Sequence, residues 1–205
     1  DAMAYLREHP NSTLVIEPGI YTITSELARE TQRAVMNGEY GENPQRTMFN
    51  PKFEYTRGIS FAGQSGTTVV GYGVTLMVDG FMEPVSVRDC ENVTLCGITI
   101  DHKRKPYSKG KVVQMDALEA DGSRRCVIEF DEDCPITEQT PLNLRSMFFD
   151  VDTYENIFAA LDERVVIDSH HLKGKAYDAH KMKLGTEYYT VHSYHSRPAI
   201  LIENA

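Results

Sequence analysis

The 205-residue sequence contains no tryptophan, only four cysteines, and a deficit of positive charge: 21 Lys and Arg stand against 30 Asp and Glu, a formal net charge of −9. Each shortage excludes something. Without Trp, any stacking on a sugar or a base falls to the 11 Tyr and 8 Phe. The acidic balance argues against a nucleic-acid footprint, and the basic run His102-Lys103-Arg104-Lys105 is too short to reverse it. Neutral or cationic partners are favoured over polyanions. Cys90, Cys96, Cys126 and Cys134 include no CxxC pair and fit no common zinc spacing, so they read as small apolar fillers. No apolar window reaches the roughly eighteen residues of a membrane span, and no basic-then-apolar leader opens the sequence. The expectation is an exported protein without membrane insertion, its signal peptide not present in the chain.

What is present is repetition. Pro84-Val85-Ser86-Val87-Arg88-Asp89 and Pro198-Ala199-Ile200-Leu201-Ile202-Glu203-Asn204 share a Pro, an apolar run, an acid and a small polar corner. Thr68-Val69-Val70-Gly71-Tyr72-Gly73 is echoed 25 residues on by Val93-Thr94-Leu95-Cys96-Gly97-Ile98. Strands recurring at that period without helices between them predict a parallel β-solenoid, in which each coil buries its apolar face on the next. Two ordinary sandwich strands remain the alternative.

Elsewhere, Ala2 to Arg7 reads as a short helix and Thr13 to Ile23 as strand, Pro-Gly corner and strand. Ser25 to Met36 has helical composition, with Ser25 as N-cap and Gly38 as stop. Residues 39 to 57 read as a long loop. Lys111 to Leu118 and Cys126 to Asp131 alternate as strands around an Asp121-Gly122 turn, the signature of an antiparallel hairpin. Short strands continue to residue 190, with Tyr154 to Leu161 as a helical turn. The fold class is therefore all-β: a right-handed parallel β-helix with an N-terminal helical cap and an inserted antiparallel β subdomain. Its parts are 1–110 for cap and first coils, 111–192 for the insertion, and 193–205 for the return to the helix.

The segments Thr75 to Pro84, Glu91 to Leu95, Ile98 to Pro106 and Ser108 to Val112 resemble the N-terminal half of right-handed parallel β-helix glycoside hydrolases of the pectin-lyase-like superfamily, and within it the bacterial α-1,3-galactosidase family. Pro18-Gly19-Ile20-Tyr21 resembles the opening of that superfamily. The resemblance implies a carbohydrate-active enzyme hydrolysing terminal α-galactosidic linkages without a cofactor, with an oligosaccharide or polysaccharide substrate. It also implies that the catalytic carboxylates come after Ala205, so none is assigned here. His102, where an aromatic residue is common, departs from the family's pattern. A lyase acting on uronate polymers and a non-catalytic glycan-binding solenoid are the alternatives.

Candidate substrate-binding residues are Asp101 and Arg104 at a strand end, and Tyr194, His195 and Arg197, beside His192, where the chain returns. Each group also reads as a local polar seam. His170, His171 and His180 lack a ligand spacing, Asp131-Glu132-Asp133 lacks the alternating oxygens of a calcium loop, and Gly71-x-Gly73 has no helix after it, so no metal or dinucleotide is expected.

Overall fold

The computed structural model describes residues 2–41, 44, 46, 53–138, 140, 142–192 and 199–205, excepting the side chains of 142–145. The chain divides into two compact units. The first comprises Asp1–Arg33, Pro51–Arg104 and Ser196–Ala205; the second comprises Ala34–Asn50 and Lys105–His195.

In the first unit, helix α1 (Ala2–Glu8) supplies buried Leu6, and helix α2 (Glu26–Met36) starts where the Ser25 hydroxyl accepts the Ala28 amide at 3.0 Å, as an N-cap should. Strands β1 (Thr13–Val15), β2 (Gly19–Thr24), β4 (Thr68–Asp79) and β6 (Thr94–His102) make a four-stranded sheet, β4 pairing in parallel with the other three. Strands β3 (Thr56–Ala62), β5 (Met82–Arg88) and β14 (Ile200–Glu203) make a second parallel sheet with β5 in the middle. Phe61, Val69, Val74, Leu76, Val85 and Val87 form the core.

Both sequence echoes pair in parallel, Thr68 with Thr94 and Val85 with Ile200. The first offset is thus one residue longer than the sequence comparison suggests. The same register aligns the corners. Asn11, Gly66 and Asn92 all have positive φ (62°, 67° and 55°), as do Gly63, Asp89 and Asn204 (63°, 52° and 51°). The left-handed conformation costs an ordinary residue roughly 1–2 kcal/mol, and Asn, Asp and Gly tolerate it best. A side-chain bond from Asn204 Nδ2 to Asp89 Oδ1, 3.1 Å long, ties two corners together.

The second unit is built on one antiparallel sheet. In spatial order its strands are β10 (Asn156–Ile157), β9 (Leu142–Phe149), β13 (Glu187–His192), β7 (Tyr107–Met115), β8 (Arg124–Phe130), β12 (His171–Tyr177) and β11 (Ala160–Val166). Strands β7 and β8 form the hairpin read from Asp121-Gly122, with Gly122 at φ 78°. Phe130, Phe148, Leu172 and Tyr188 fill its core.

The all-β expectation holds, but the right-handed parallel β-helix does not. The largest sheet is seven-stranded and antiparallel, and the parallel strands belong to two separate sheets of four and three. An echo between two segments records that they are paired neighbours, and that is a weaker statement than a continuous coil. The helical turn expected over Tyr154–Leu161 is also overturned: Tyr154 has φ 57°, and strands β10 and β11 take up the segment.

Two outcomes are expected. Gly80 has φ 121°, and an added Cβ would lie 2.6 Å from the Ala28 carbonyl carbon, whereas Gly63 (φ 63°) has open space. Gly80→Ala should therefore cost about 2–3 kcal/mol and Gly63→Ala about 1 kcal/mol in urea denaturation followed by circular dichroism. Equal costs would refute the close approach to Ala28. In the second unit, the hydroxyl and amide of Ser123 hold Asp121 below the usual carboxylate range. The Lys105 ammonium does the same for Asp133, the amides of Asp152 and Thr153 for Asp150, and the His170 amide with the His171 ring for Asp168. Depressed folded values stabilise above the unfolded carboxylate value of about 3.9 and lose that contribution as pH falls through them. The urea midpoint should decline shallowly below about pH 6.5, where burial keeps His102 from charging until the chain unfolds, and fall steeply below about pH 4. A midpoint level down to pH 3 would contradict this.

Candidate functional site

Asp101 and Arg104 lie at the end of β6, on the four-stranded sheet. Asp101 is exposed, and its Oδ1 accepts the amide of the next residue, His102, at 2.7 Å. Burial lowers the His102 pKa, with Asp101 opposing. Lys103 reaches Asp79 Oδ2 at 3.4 Å. Tyr194, His195 and Arg197 fall outside the described residues; neighbouring His192 is buried, its Nε2 2.9 Å from the Ser108 hydroxyl.

The densest charged cluster is on the three-stranded sheet and was not among the sequence candidates. Strand register sets Arg57 on β3 beside Glu83 on β5, and Arg88 on β5 beside Glu203 on β14. The side chain of Glu83 is wholly buried; those of Arg88, Arg57 and Glu203 are 27%, 39% and 49% exposed. Both guanidinium groups stand 3.8 Å from Glu83 Oε1. The Tyr55 hydroxyl donates to Glu83 Oε2 at 3.2 Å and accepts from Arg88 Nη2 at 3.2 Å and Arg57 Nη2 at 3.4 Å. Arg57 also lies over the Tyr55 ring, 4.9 Å from its centroid. Arg88 Nε reaches Glu203 Oε2 at 3.0 Å, so one guanidinium bridges a buried and an exposed carboxylate. Glu83 Oε1 is buried without a hydrogen bond among the described residues.

Chemically, the cluster offers a guanidinium fork, a phenol and a carboxylate at the surface, fixed from beneath by Glu83. It has hydrogen-bonding capacity for hydroxyl-rich or carboxylate-bearing ligands. The sequence signal for it was Glu83 itself, a lone acid inside the apolar stretch Phe81-Met82-Glu83-Pro84-Val85, with Arg57 one strand offset earlier.

Two hollows offer less. A groove of about 430 Å³ is lined by Val87, Cys90, Val93, Leu95, Ile200 and Ile202 among others, with no charged side chain. A pocket of about 230 Å³ in the second unit includes Asp116, Arg125, Cys126 and Lys173, but Arg125 is held by Glu163 at 2.9 Å and burial pushes the Cys126 thiol up to about 11. At that value it is neither nucleophile nor metal ligand near neutrality. None of the four cysteines is in a disulfide. Among the described residues, no group of three or more His, Cys, Asp or Glu could hold a metal ion, and no helix is long and apolar enough to cross a membrane.

The chain matches no protein-family model and no curated protein sequence. Function must therefore be argued from the site.

The cluster makes one prediction of its own. Arg88→Ala leaves buried Glu83 with Arg57 as its cation and the Tyr55 hydroxyl as its donor, and should cost about 2–3 kcal/mol in urea denaturation, reduced from a fully buried pair by the partial exposure of the guanidinium. Removing both partners, in Glu83→Leu with Arg88→Ala, should recover part of that loss. A double variant less stable than Arg88→Ala would show that Glu83 has a role the ion pairs do not explain.

Proposed function

We propose that this chain is part of a carbohydrate-active protein that binds neutral glycans at the Tyr55, Arg57, Arg88 and Glu203 surface. The whole protein's reaction, on this reading, is hydrolysis of terminal α-galactosidic linkages. The observation that carries the binding half is the bridging of Glu83 and Glu203 by Arg88, which leaves a guanidinium fork and an acceptor carboxylate presented on strands, with the Tyr55 phenol just before β3. Sugar hydroxyls both donate and accept, and planar charged groups on rigid elements meet them with little ordering cost. The choice of α-galactose rests on the resemblance of Thr75–Pro84, Ile98–Pro106 and the adjoining segments. A net charge of −9 supports a neutral substrate over a polyuronate.

A second reading has its own observation. The Tyr55 hydroxyl sits between two guanidinium groups and donates to Glu83, a setting suited to holding a uronate carboxylate while the phenol passes its proton to Glu83 and takes the one released beside it. That would be a lyase.

The test is titration of the protein with an α-1,3-linked galactose disaccharide and with oligogalacturonate, assaying galactose release and the ultraviolet absorbance of an unsaturated product. Expected is binding of the galactoside that weakens about tenfold in Arg57→Ala or Glu203→Gln, each mutation removing a charge-assisted hydrogen bond. An unsaturated uronate product would replace this reading with the lyase. Failure to bind any neutral sugar would overturn it.

A further inference from the structure

The seven-stranded sheet has an outer face that the cluster above does not use. Side chains alternate along a strand, so in β13 Tyr188 turns into the core while Glu187, Tyr189 and Val191 turn out. Register sets Lys109 of β7 and Met147 of β9 beside Tyr189, Lys111 and Phe149 beside Glu187, and Tyr107 beside Val191.

The result is an aromatic step with polar edges. The Tyr189 ring meets Phe149 edge-on at 5.5 Å between centroids and lies 6.1 Å from Tyr107. Its hydroxyl donates to Glu187 Oε2 at 3.0 Å. Lys109 Nζ is 3.5 Å from Glu187 Oε1 and 5.5 Å from the Tyr189 ring centroid. Tyr107, Phe149 and Tyr189 are partly exposed, and Met147 is exposed. The Glu187 side chain, by contrast, is only 8% exposed, so the acid is set into the face and anchors the phenol and the ammonium above it.

We infer that this face of β7, β13 and β9 is a second binding site for a neutral glycan, with a sugar ring stacked on Tyr189 and its hydroxyls meeting Lys109 and the Tyr189 hydroxyl. Other ligand classes fit less well. A quaternary ammonium is the usual guest of clustered aromatic rings, but the Lys109 ammonium beside the Tyr189 ring would repel it. A nucleic acid is opposed by the net charge of −9. A purely apolar ligand would strip water from the Lys109–Glu187 pair without replacing its hydrogen bonds. A hexose presents an apolar C–H face to the ring and hydroxyls to the rim, and so satisfies both.

The inference shares only its ligand class with the proposed function, and it stands on a different unit, so the two can fail separately. The experiment is calorimetric titration of the intact chain with an α-1,3-linked galactose disaccharide, cellopentaose, xylopentaose and oligogalacturonate, repeated on Tyr189→Ala, Tyr189→Phe, Lys109→Ala and Arg57→Ala. For at least one neutral oligosaccharide, Tyr189→Ala should weaken binding about tenfold while Tyr189→Phe, which keeps the ring, stays within about threefold. Amide shifts on titration should then centre on Tyr189 and Lys109. Binding unchanged in Tyr189→Ala and Lys109→Ala but lost in Arg57→Ala would overturn this inference and leave the proposed function standing. Loss in Tyr189→Ala with none in Arg57→Ala would do the reverse. Binding of oligogalacturonate alone would overturn both. Should Tyr189→Ala lose the wild-type circular dichroism spectrum, Lys109→Ala carries the same comparison.

Discussion

The first unit depends on one constraint, the parallel register in which β4 and β5 hold their neighbours. A slip of one residue would send Phe61, Val85 and Val87 from the core to the opposite face. It would also put residues with unfavourable left-handed conformations at the corners now filled by Gly63, Asp89 and Asn204. The same slip would part Arg57 from Glu83 and Arg88 from Glu203. Core, corners and charged cluster are therefore three consequences of a single alignment, and each penalises the wrong one.

The electrostatics of Glu83 show what kind of contribution the cluster makes. Burying a carboxylate costs several kcal/mol, and each guanidinium at 3.8 Å returns about 4 kcal/mol at an effective dielectric near 20. Solvent reduces the share of Arg57, which is 39% exposed, and Oε1 is left without a hydrogen bond. The terms nearly cancel. The cluster thus adds little net stability, but any arrangement that separates Glu83 from its cations is heavily disfavoured, so its effect falls on register and on the placement of Tyr55.

How much of this the sequence carries follows from what each pattern encodes. Parallel neighbours bury the same face, so their apolar spacing repeats, and the pairing of β4 with β6 and of β5 with β14 was legible, although each register lies one residue off the alignment of the sequence echoes. The Ser25 cap and the Asp121-Gly122 hairpin were legible because they are local. The overall architecture was not, because pairing between segments does not say whether the strands form one coil or separate sheets. Glu83 and Arg88 share strand β5, but Arg57 and Glu203 join them only through strand pairing, which the local sequence does not show. Tyr188 and Tyr189 are adjacent and chemically identical, and only the fold decides that one becomes core and the other surface. Asp101 and Arg104 stood out because they are close in sequence, whereas Arg57, Glu83, Arg88 and Glu203 are brought together across strands.

The two surfaces also differ in what they can do. Glycosidic cleavage needs two carboxyl groups, about 5–5.5 Å or 6.5–9.5 Å apart, one of them carrying a proton to the leaving group. In the first unit both carboxyl groups contact Arg88, and in the second the Glu187 carboxyl is engaged by Tyr189 and Lys109. These contacts hold each carboxylate as a hydrogen-bond and ion-pair acceptor in a fixed position. On the readings proposed above, both surfaces serve recognition, the first through fixed hydrogen bonds and the second through ring stacking. Rigid strands favour that role, since groups that must only bind gain from being ordered before the ligand arrives.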